Sequence, residues 1–277
     1  MSGATALEAQ PAASSSSSAQ KGLRQSFTWW SFSNRGGVSA EALLRGAAEI
    51  GYKGVELLDE ALWPVAKEYG LQITTEKGHG TIESGLNRQE NRMRIVDELH
   101  ERIARAKEWE IPILICFSGN RAEDLSDSAG LETSAETLRL IAPAAEAAGV
   151  ILAVELLNSR LDHKGYQCDH TEWGVALCDK AGSPSVKLLY DIYHMQIMEG
   201  DLIRTIQKHH SSIAHYHTAG NPGRGHPDLK QEIYYPAIYR AIAKTGYTGF
   251  IGQEFFPEGN PLEALRLAYD DCAEALG

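Results

Sequence analysis

The chain lacks several features that mark secreted, membrane and nucleic-acid-binding proteins. No apolar run approaches the roughly 18 residues that a membrane span needs. The net charge is −11, from 37 acidic and 26 basic residues, which argues against a nucleic-acid partner because phosphates require a basic surface. The spacing of the cysteines predicts free thiols in a cytoplasmic protein, since no C-x-x-C pair occurs among them. They are Cys116, Cys168, Cys178 and Cys272.

Two common catalytic signatures are also missing. The glycine-rich segment from Gly220 to Gly225 does not open a helix after a strand, as a phosphate-binding loop would. No G-x-S-x-G nucleophile elbow occurs either. Residues 1–22 are rich in Ser and Ala and lack the basic start and apolar stretch of a secretory signal. We therefore expect a disordered tail over residues 1–22 and one domain over residues 23–277.

What the chain does contain is a series of eight apolar runs that alternate with amphipathic stretches. The runs are continuously apolar, which is typical of parallel strands buried on both faces. Apolar residues make up 43% of the chain, and α/β barrels of about 250 residues form single domains. The pattern predicts the α/β class and a single (β/α)₈ TIM barrel. The predicted strands are residues 25–32, 54–58, 71–76, 113–117, 150–156, 186–191, 213–217 and 250–255.

Helix signals lie between these runs. Ser39 and Gly51 have the residue types expected of an N-cap and a C-terminal glycine around one helix. The longest predicted helix is residues 87–110, which carry an apolar stripe. Thr133 and Glu136 form a capping-box pattern that predicts the start of a further helix.

Four predicted strands end in a possible metal ligand. These ligands are spaced by 36, 26 and 37 residues, close to the length of one strand-plus-helix unit. Side chains at the carboxyl ends of barrel strands share one mouth, so distant residues can converge there. Three carboxylates and an imidazole suit Mg²⁺ or Mn²⁺. The predicted ligands are Glu155, Asp191, His217 and Glu254.

Two further side chains are placed near this mouth. His194 follows the strand that ends at Asp191, and Arg224 lies in a Gly/Pro-rich loop after His217. Arginine binds carboxylates through paired donors, so Arg224 is the expected anchor for an anionic substrate. His215 is left out of the set because it is expected to face away from the side of His217. No role is assigned to three other polar residues near strand ends, Lys77, His79 and Asn158.

These residues lie in stretches that resemble the hydroxypyruvate isomerase family, within the xylose isomerase-like barrel superfamily. The resemblance extends from about residue 25 to the C-terminus. The resembling stretches are Val154-Glu-Leu-Leu-Asn158, Tyr190-Asp-Ile-Tyr-His194, Gln196-Ile-Met-Glu-Gly-Asp-Leu202, Pro222-Gly-Arg-Gly225 and Gly246-Tyr-Thr-Gly249 with Gln253-Glu254.

The resemblance implies an isomerase that depends on Mn²⁺ or Mg²⁺ and acts on a small hydroxy-oxo acid or sugar. Hydroxypyruvate and tartronate semialdehyde, or a similar sugar-acid pair, would interconvert through an enediolate. Glu155 and Glu254 would transfer the proton while also binding the metal. His194 would donate to a substrate oxygen, and Arg224 would hold the substrate carboxylate.

Other activities of the same superfamily stay open. His217 stands where hydroxypyruvate isomerases often have glutamine, and histidine there is the pattern of ketose 3-epimerases and inosose dehydratases. Leu161 stands where the epimerases place a substrate-binding glutamate. An abasic-site nuclease is disfavoured by the acidic charge, and a barrel that binds a sugar without turnover is a further alternative. The exact substrate, the metal, the role of the tail and the formation of a homo-oligomer do not follow from the sequence.

Overall fold

The structure, a computed structural model, describes residues 23–277, and within them eight parallel strands close into one barrel. Each strand pairs with its neighbours in the sequence, and the eighth pairs with the first. The predicted α/β TIM barrel is confirmed, whereas the predicted tail over residues 1–22 lies outside the described residues. The strands are β1 (Arg24–Thr28), β2 (Gly54–Glu56), β3 (Gln72–Lys77), β4 (Ile113–Cys116), β5 (Ile151–Leu156), β6 (Val186–Asp191), β7 (Ile213–Thr218) and β8 (Phe250–Gln253).

Helices surround the barrel, and the main apolar core lies between them and the strands. Short 3₁₀ turns occur at Glu60–Leu62, Gln89–Asn91 and His210–Ser212. The α-helices of the described residues are α1 (Trp29–Phe32), α2 (Ala40–Ile50), α3 (Trp63–Glu68), α4 (Arg92–Glu108), α5 (Asp127–Ala148), α6 (Thr171–Ala181), α7 (Ile192–Met198), α8 (Leu202–His209), α9 (Tyr235–Lys244) and α10 (Pro261–Leu276).

Side-chain alternation along the strands decides which residues reach the barrel interior. On β5, Leu152 and Val154 pack in the core under the helices, whereas Ala153 packs in a small cluster inside the barrel. Leu189 of β6 belongs to the same interior cluster. Since successive side chains point to opposite faces, a residue two positions later shares the interior direction. Glu155 and Asp191 therefore point toward the barrel axis.

Three predicted strands extended at least two residues too far, namely β1, β8 and β2, of which β2 stops at Glu56. β1 stops at Thr28, and the next four residues form the short helix α1 in which the Ser33 amide donates to the Trp29 carbonyl. The Thr28 and Ser31 hydroxyls are hydrogen-bonded to each other at 2.6 Å, which favours the turn over a continued strand. β8 stops at Gln253, so Glu254 is the first residue of the following loop.

The helix predictions were correct in part. The Ser39 hydroxyl accepts a hydrogen bond from the Ala42 amide, and Gly51 ends α2 with a φ of 129°, as predicted. The predicted helix over residues 87–110 begins later, at Arg92, and it is shorter than the 22-residue α5. The capping box at Thr133 was wrong, because Ser126 caps α5 seven residues earlier.

The cysteines of the described residues are free thiols, and all four are buried, as predicted. No helix among residues 23–277 is both long and apolar enough to span a membrane.

Candidate metal centre and active site

The four predicted metal ligands come together at the mouth of the barrel. Glu155 and Asp191 lie near the ends of β5 and β6, His217 lies on β7, and Glu254 directly follows β8. One ligand atom from each residue lies within 4.8 Å of the other three. All four side chains are buried. Neighbouring strands thus deliver three carboxylates and one imidazole to a single point.

His217 presents its Nδ1 atom to two of the carboxylates. Nδ1 lies 3.5 Å from Glu155 Oε1 and 3.2 Å from Glu254 Oε2. This nitrogen is buried and has no hydrogen-bond partner in the protein. An unpartnered buried nitrogen that faces carboxylate oxygens has the disposition of a ligand for a shared cation.

The charges of the cluster also favour a divalent cation. Burial raises the pKa of Asp191 to about 8, and the nearby Glu254 and Glu155 act in the same direction against Arg224. Burial alone would lower the pKa of His217, but Glu254 and Glu56 outweigh it and hold that pKa well above its usual value. Protons held on Asp191 and His217 therefore offset the negative charge of the converging carboxylates. The donor set fits a hard divalent ion, which would replace this proton charge.

Arg224 enters the same cluster from the loop after β7. Its Nη2 atom donates to Glu254 Oε2 at 2.5 Å and lies 3.6 Å from Asp191 Oδ2. Burial alone would raise the pKa of Glu254, but His217 and Arg224 outweigh it and hold that pKa well below its usual value. The Arg224 Nε atom is buried without a partner. Arg224 is thus at the site, with one donor engaged by Glu254 and another free.

His194 lies in the first turn of α7, where the Asp191 carboxylate accepts a hydrogen bond from its backbone amide at 3.0 Å. Its Nδ1 lies 2.6 Å from the Asn158 amide nitrogen. Asn158 Oδ1 accepts from the backbone amides of Leu161 and Asp162, so the NH₂ group of Asn158 must face the ring. Nδ1 of His194 therefore accepts, and the proton resides on Nε2.

The Nε2–H group of His194 is a buried donor without a protein partner, 3.7 Å from Asp191 Oδ2. Burial lowers the pKa of His194 well below its usual value, and Arg224 adds to this effect. His194 is consequently a neutral hydrogen-bond donor at the site.

Below the four ligands lies a second buried group, which we call the Glu56 cluster: Glu56, His215, Ser26 and Thr75. His215 Nε2 lies 3.0 Å from both Glu56 oxygens, and His217 Nε2 lies 2.9 Å from Glu56 Oε2. The expectation that His215 faces away from His217 was wrong, because residues two apart on a strand share a face. Burial would raise the pKa of Glu56, but His215 and His217 outweigh it and hold that pKa well below its usual value.

A cavity of about 350 Å³ opens beside Glu155. This volume falls in the range of small-molecule sites. Its wall is largely apolar, with one lysine and one further glutamate. The lining residues are Leu57, Lys77, Gly80, Thr81, Ile82, Glu83, Ile115, Phe117 and Glu155.

Two residues of the site were not assigned from the sequence: Glu56 was not considered, and Asn158 was named without a role. Glu56 interrupts the short apolar run of β2, and a carboxylate inside such a run requires a buried partner. That signal was available in the sequence. The contact between Asn158 and His194 joins the loop after β5 to the first turn of α7, and no local pattern indicates it.

The fold is a TIM barrel whose mouth carries a cluster of side chains that could hold a metal ion, and comparison with known proteins gives its family. A family profile described as xylose isomerase-like TIM barrel matches residues 44–271. The chain belongs to this family.

The names of relatives indicate that the chain is an isomerase, as predicted. A protein of Homo sapiens named putative hydroxypyruvate isomerase is 29% identical over 255 residues, which are 85% of this chain and 90% of the relative. The 2-oxo-tetronate isomerase of Cupriavidus necator is 37% identical over 133 residues, 48% of this chain and 50% of that one. A solved structure, described as an AP endonuclease of family 2 from Brucella melitensis, superposes with a TM-score of 0.75 at 27% identity. It covers 88% of this chain and 96% of its own.

Proposed function

We propose that this protein is a divalent-metal-dependent isomerase of small hydroxy-oxo acids. It would interconvert hydroxypyruvate and tartronate semialdehyde, or a similar sugar-acid pair. The observation that supports this best is the approach of Glu155 and Glu254 to the same His217 nitrogen beside a cavity. The names of the relatives support the substrate class.

The proposed ion site consists of Glu155, Asp191, His217 and Glu254. Mn²⁺ or Mg²⁺ bound there would supply positive charge that stabilises the oxygen anion formed when the substrate loses a proton. The choice between these ions belongs to the proposal, as do the cytoplasmic location and the formation of a homo-oligomer.

Proton transfer is assigned to the two glutamates. One carboxylate removes the proton from the carbon beside the substrate carbonyl, which gives an enediolate. The other, protonated from solvent, gives a proton to the neighbouring carbon, and the hydroxyl proton passes to the former carbonyl oxygen, so that carbonyl and hydroxyl exchange places. The first glutamate then releases its proton to solvent. Arg224 and His217 favour the ionised form of Glu254, so this carboxylate carries no proton before the reaction.

Two side chains are assigned to substrate binding. The neutral His194 donates from Nε2 to a substrate oxygen as negative charge develops there. Arg224 uses its unpartnered Nε to hold the substrate carboxylate while Nη2 remains on Glu254. Both residues lie within 4 Å of Asp191 Oδ2, so the substrate groups they bind would lie close to the proposed ion.

One observation favours a second candidate, a ketose 3-epimerase or an inosose-type dehydratase on the same site. His217 approaches two carboxylates through Nδ1, and histidine at this position resembles the pattern of those enzymes. Leu161 weighs against the epimerase, since its side chain is 65% exposed and cannot bind a hydroxyl. All these reactions begin with removal of a proton beside a carbonyl.

The test is turnover in deuterated buffer with Mn²⁺. The substrates are hydroxypyruvate, 2-oxo-tetronate, fructose-like ketoses and inosose, and product identity separates isomerase, epimerase and dehydratase. We expect Glu254→Gln to abolish deuterium incorporation, a loss of at least about 10²-fold, because general-base catalysis contributes that much. Mn²⁺ occupancy is checked by electron paramagnetic resonance, since the substitution also alters a ligand.

Glu49→Gln is the matched control, because Glu49 is an exposed residue of α2 far from the barrel mouth. It should exchange deuterium at the wild-type rate. Full exchange in Glu254→Gln with a folded, metal-loaded protein would remove Glu254 from the proton transfer. Absence of turnover on every substrate, with and without Mn²⁺, would contradict the proposed function itself.

A further inference from the structure

Glu56 lies inside the barrel, directly beneath the proposed ion site. It is the last residue of β2, and its side chain reaches across the interior to β7. The residue is fully buried. Nothing in the proposed reaction uses this carboxylate, and a buried carboxylate without a role would only destabilise the fold.

Every acceptor position of the Glu56 carboxylate is used by the protein. The Ser26 hydroxyl donates to Oε1 at 2.5 Å, and the Thr75 hydroxyl donates to Oε2 at 3.0 Å. The Nε2 atoms of His215 and His217 supply the remaining contacts at 2.9 to 3.0 Å. A carboxylate accepts about four hydrogen bonds, so Glu56 is saturated and held in one orientation.

This arrangement fixes the ring of His217. An ionised carboxylate only accepts, so the His217 Nε2 atom facing it must carry a proton and donate. The lone pair of the neutral ring is then left on Nδ1, the nitrogen that faces Glu155 and Glu254. Carboxylates that hold the far nitrogen of a metal-binding histidine set its tautomer and orientation and raise its affinity for the ion.

The close fit of Glu56 also depends on Gly252 of β8. A Cβ atom at that position would lie 2.2 Å from Glu56 Oε1 and 2.8 Å from His217 Cδ2. Only a residue without a side chain leaves room there for the carboxylate and the ring together. Three strands, β2, β7 and β8, therefore combine to hold this contact.

We propose that Glu56 is a positioning residue that makes Nδ1 of His217 the nitrogen that binds the ion. The inference rests on the proposed function, since it concerns the same ion. A second ion between Glu56, His215 and His217 is the alternative, because ligand atoms of these residues also lie within 4.8 Å of one another. Both Nε2 atoms already donate to Glu56, so such an ion would have to displace protons that the carboxylate holds in place.

The first test measures ion binding without turnover. Metal-free protein is titrated with Mn²⁺, and free Mn²⁺ is read by electron paramagnetic resonance. We expect one site in the wild type and a Kd that is about 10- to 100-fold weaker in Glu56→Gln, the usual cost of losing such a partner. The amide oxygen of the variant carries no full negative charge, so even at the Oε2 position, which both rings approach, it holds the proton on His217 Nε2 less strongly than the carboxylate does.

Glu49→Gln is the matched control for this titration. It makes the same change at an exposed residue of α2, so it should leave the Mn²⁺ Kd within about twofold. An unchanged Kd in Glu56→Gln, or an equal loss in Glu49→Gln, would overturn the proposal. Two Mn²⁺ ions in the wild type would replace it with the second-ion alternative.

The second test reads the tautomer directly and does not need a variant. Nitrogen-15 correlation spectra of the histidine rings are recorded with Mg²⁺, which is diamagnetic. We expect His217 of the wild type to be protonated at Nε2, and a proton on Nδ1 would overturn the proposal even if Glu56→Gln fails to fold. Failure of the wild type to bind either ion would instead contradict the proposed function.

Discussion

The contact between Asn158 and His194 gives a prediction about catalysis. Asn158→Asp changes an NH₂ group to an oxygen 2.6 Å from His194 Nδ1. The new carboxylate can only accept, so the proton of the neutral ring must move to Nδ1. Burial and Arg224 oppose the doubly protonated ring, since they hold the pKa of His194 well below its usual value. Nε2 would then lose the proton with which it donates to substrate.

The size of the effect follows from the loss of one buried donor to a developing oxygen anion. Such a loss costs about 2.7–4 kcal/mol in the transition state, which corresponds to about a 10²- to 10³-fold fall in kcat. The KM for hydroxypyruvate should change far less, because Arg224, the proposed anchor of the substrate carboxylate, is untouched. Initial rates with Mn²⁺ at saturating substrate measure this difference.

Two variants distinguish an effect of the histidine tautomer from an effect of disorder in the loop that contains Asn158. Asn158 also donates to Asp162 Oδ2 at 2.7 Å, and Asn158→Asp places two carboxylates in contact. The double variant N158D/D162N restores a hydrogen bond between these positions but leaves the histidine tautomer wrong, so it should stay as slow. Asn260→Asp is the control for the chemical change, because aspartate caps α10 as well as asparagine does. Wild-type kcat in Asn158→Asp, or recovery in the double variant, would refute the role of Asn158.

Two further predictions concern stability. Burial lowers the pKa of His79 to about 4 from its ordinary 6.5. Between these two pH values the unfolded chain binds a proton that the folded chain does not. The free energy of unfolding should therefore fall by about 3 kcal/mol from pH 6.5 to pH 4. His79→Gln keeps an acceptor for the Phe117 amide but removes the titrating group. Urea titrations should show that the free energy of unfolding of this variant depends less on pH than that of the wild type, and the same dependence in both proteins would contradict the prediction. Gly252→Ala should lower the free energy of unfolding by about 1–3 kcal/mol because of overcrowding, which lowers the Tm by several degrees. The control is Gly225→Ala, whose added Cβ meets no atom within 4 Å, so this variant should melt like the wild type. Equal melting of both alanine variants would refute the steric argument.

The barrel and the convergence of its four ligands could be predicted because both follow from periodicity. Strand-sized apolar runs recur at intervals of one βα unit, and Glu155, Asp191, His217 and Glu254 share a position at the strand ends. Closed parallel topology then brings them to one mouth whatever the helices do. The strand and helix ends were less predictable, since the turn at Thr28 depends on a local hydroxyl contact.

The contacts inside the barrel, such as that between Glu56 and His217, depend on the register of strands across the barrel, and this register cannot be predicted from the sequence pattern. Glu56 and His217 are 161 residues apart and meet at 2.9 Å. Their contact requires the exact stagger of strands that are not neighbours, and it also requires a glycine at position 252. His215 was misplaced for a simpler reason, because two-residue spacing on a strand means a shared face.

The mouth of the barrel is divided between two sectors. The proposed ion ligands all come from the second half of the chain, β5 to β8, whereas the cavity wall comes chiefly from segments at and after β2, β3 and β4. Glu155 is the one residue that belongs to both. In the proposed function, reactivity and substrate choice would thus depend on different halves of one ring. Replacement of Leu57, Ile82 or Phe117 would reshape the cavity without removing any oxygen or nitrogen from the proposed ion site, so the shape of the cavity can be varied separately from the ion ligands.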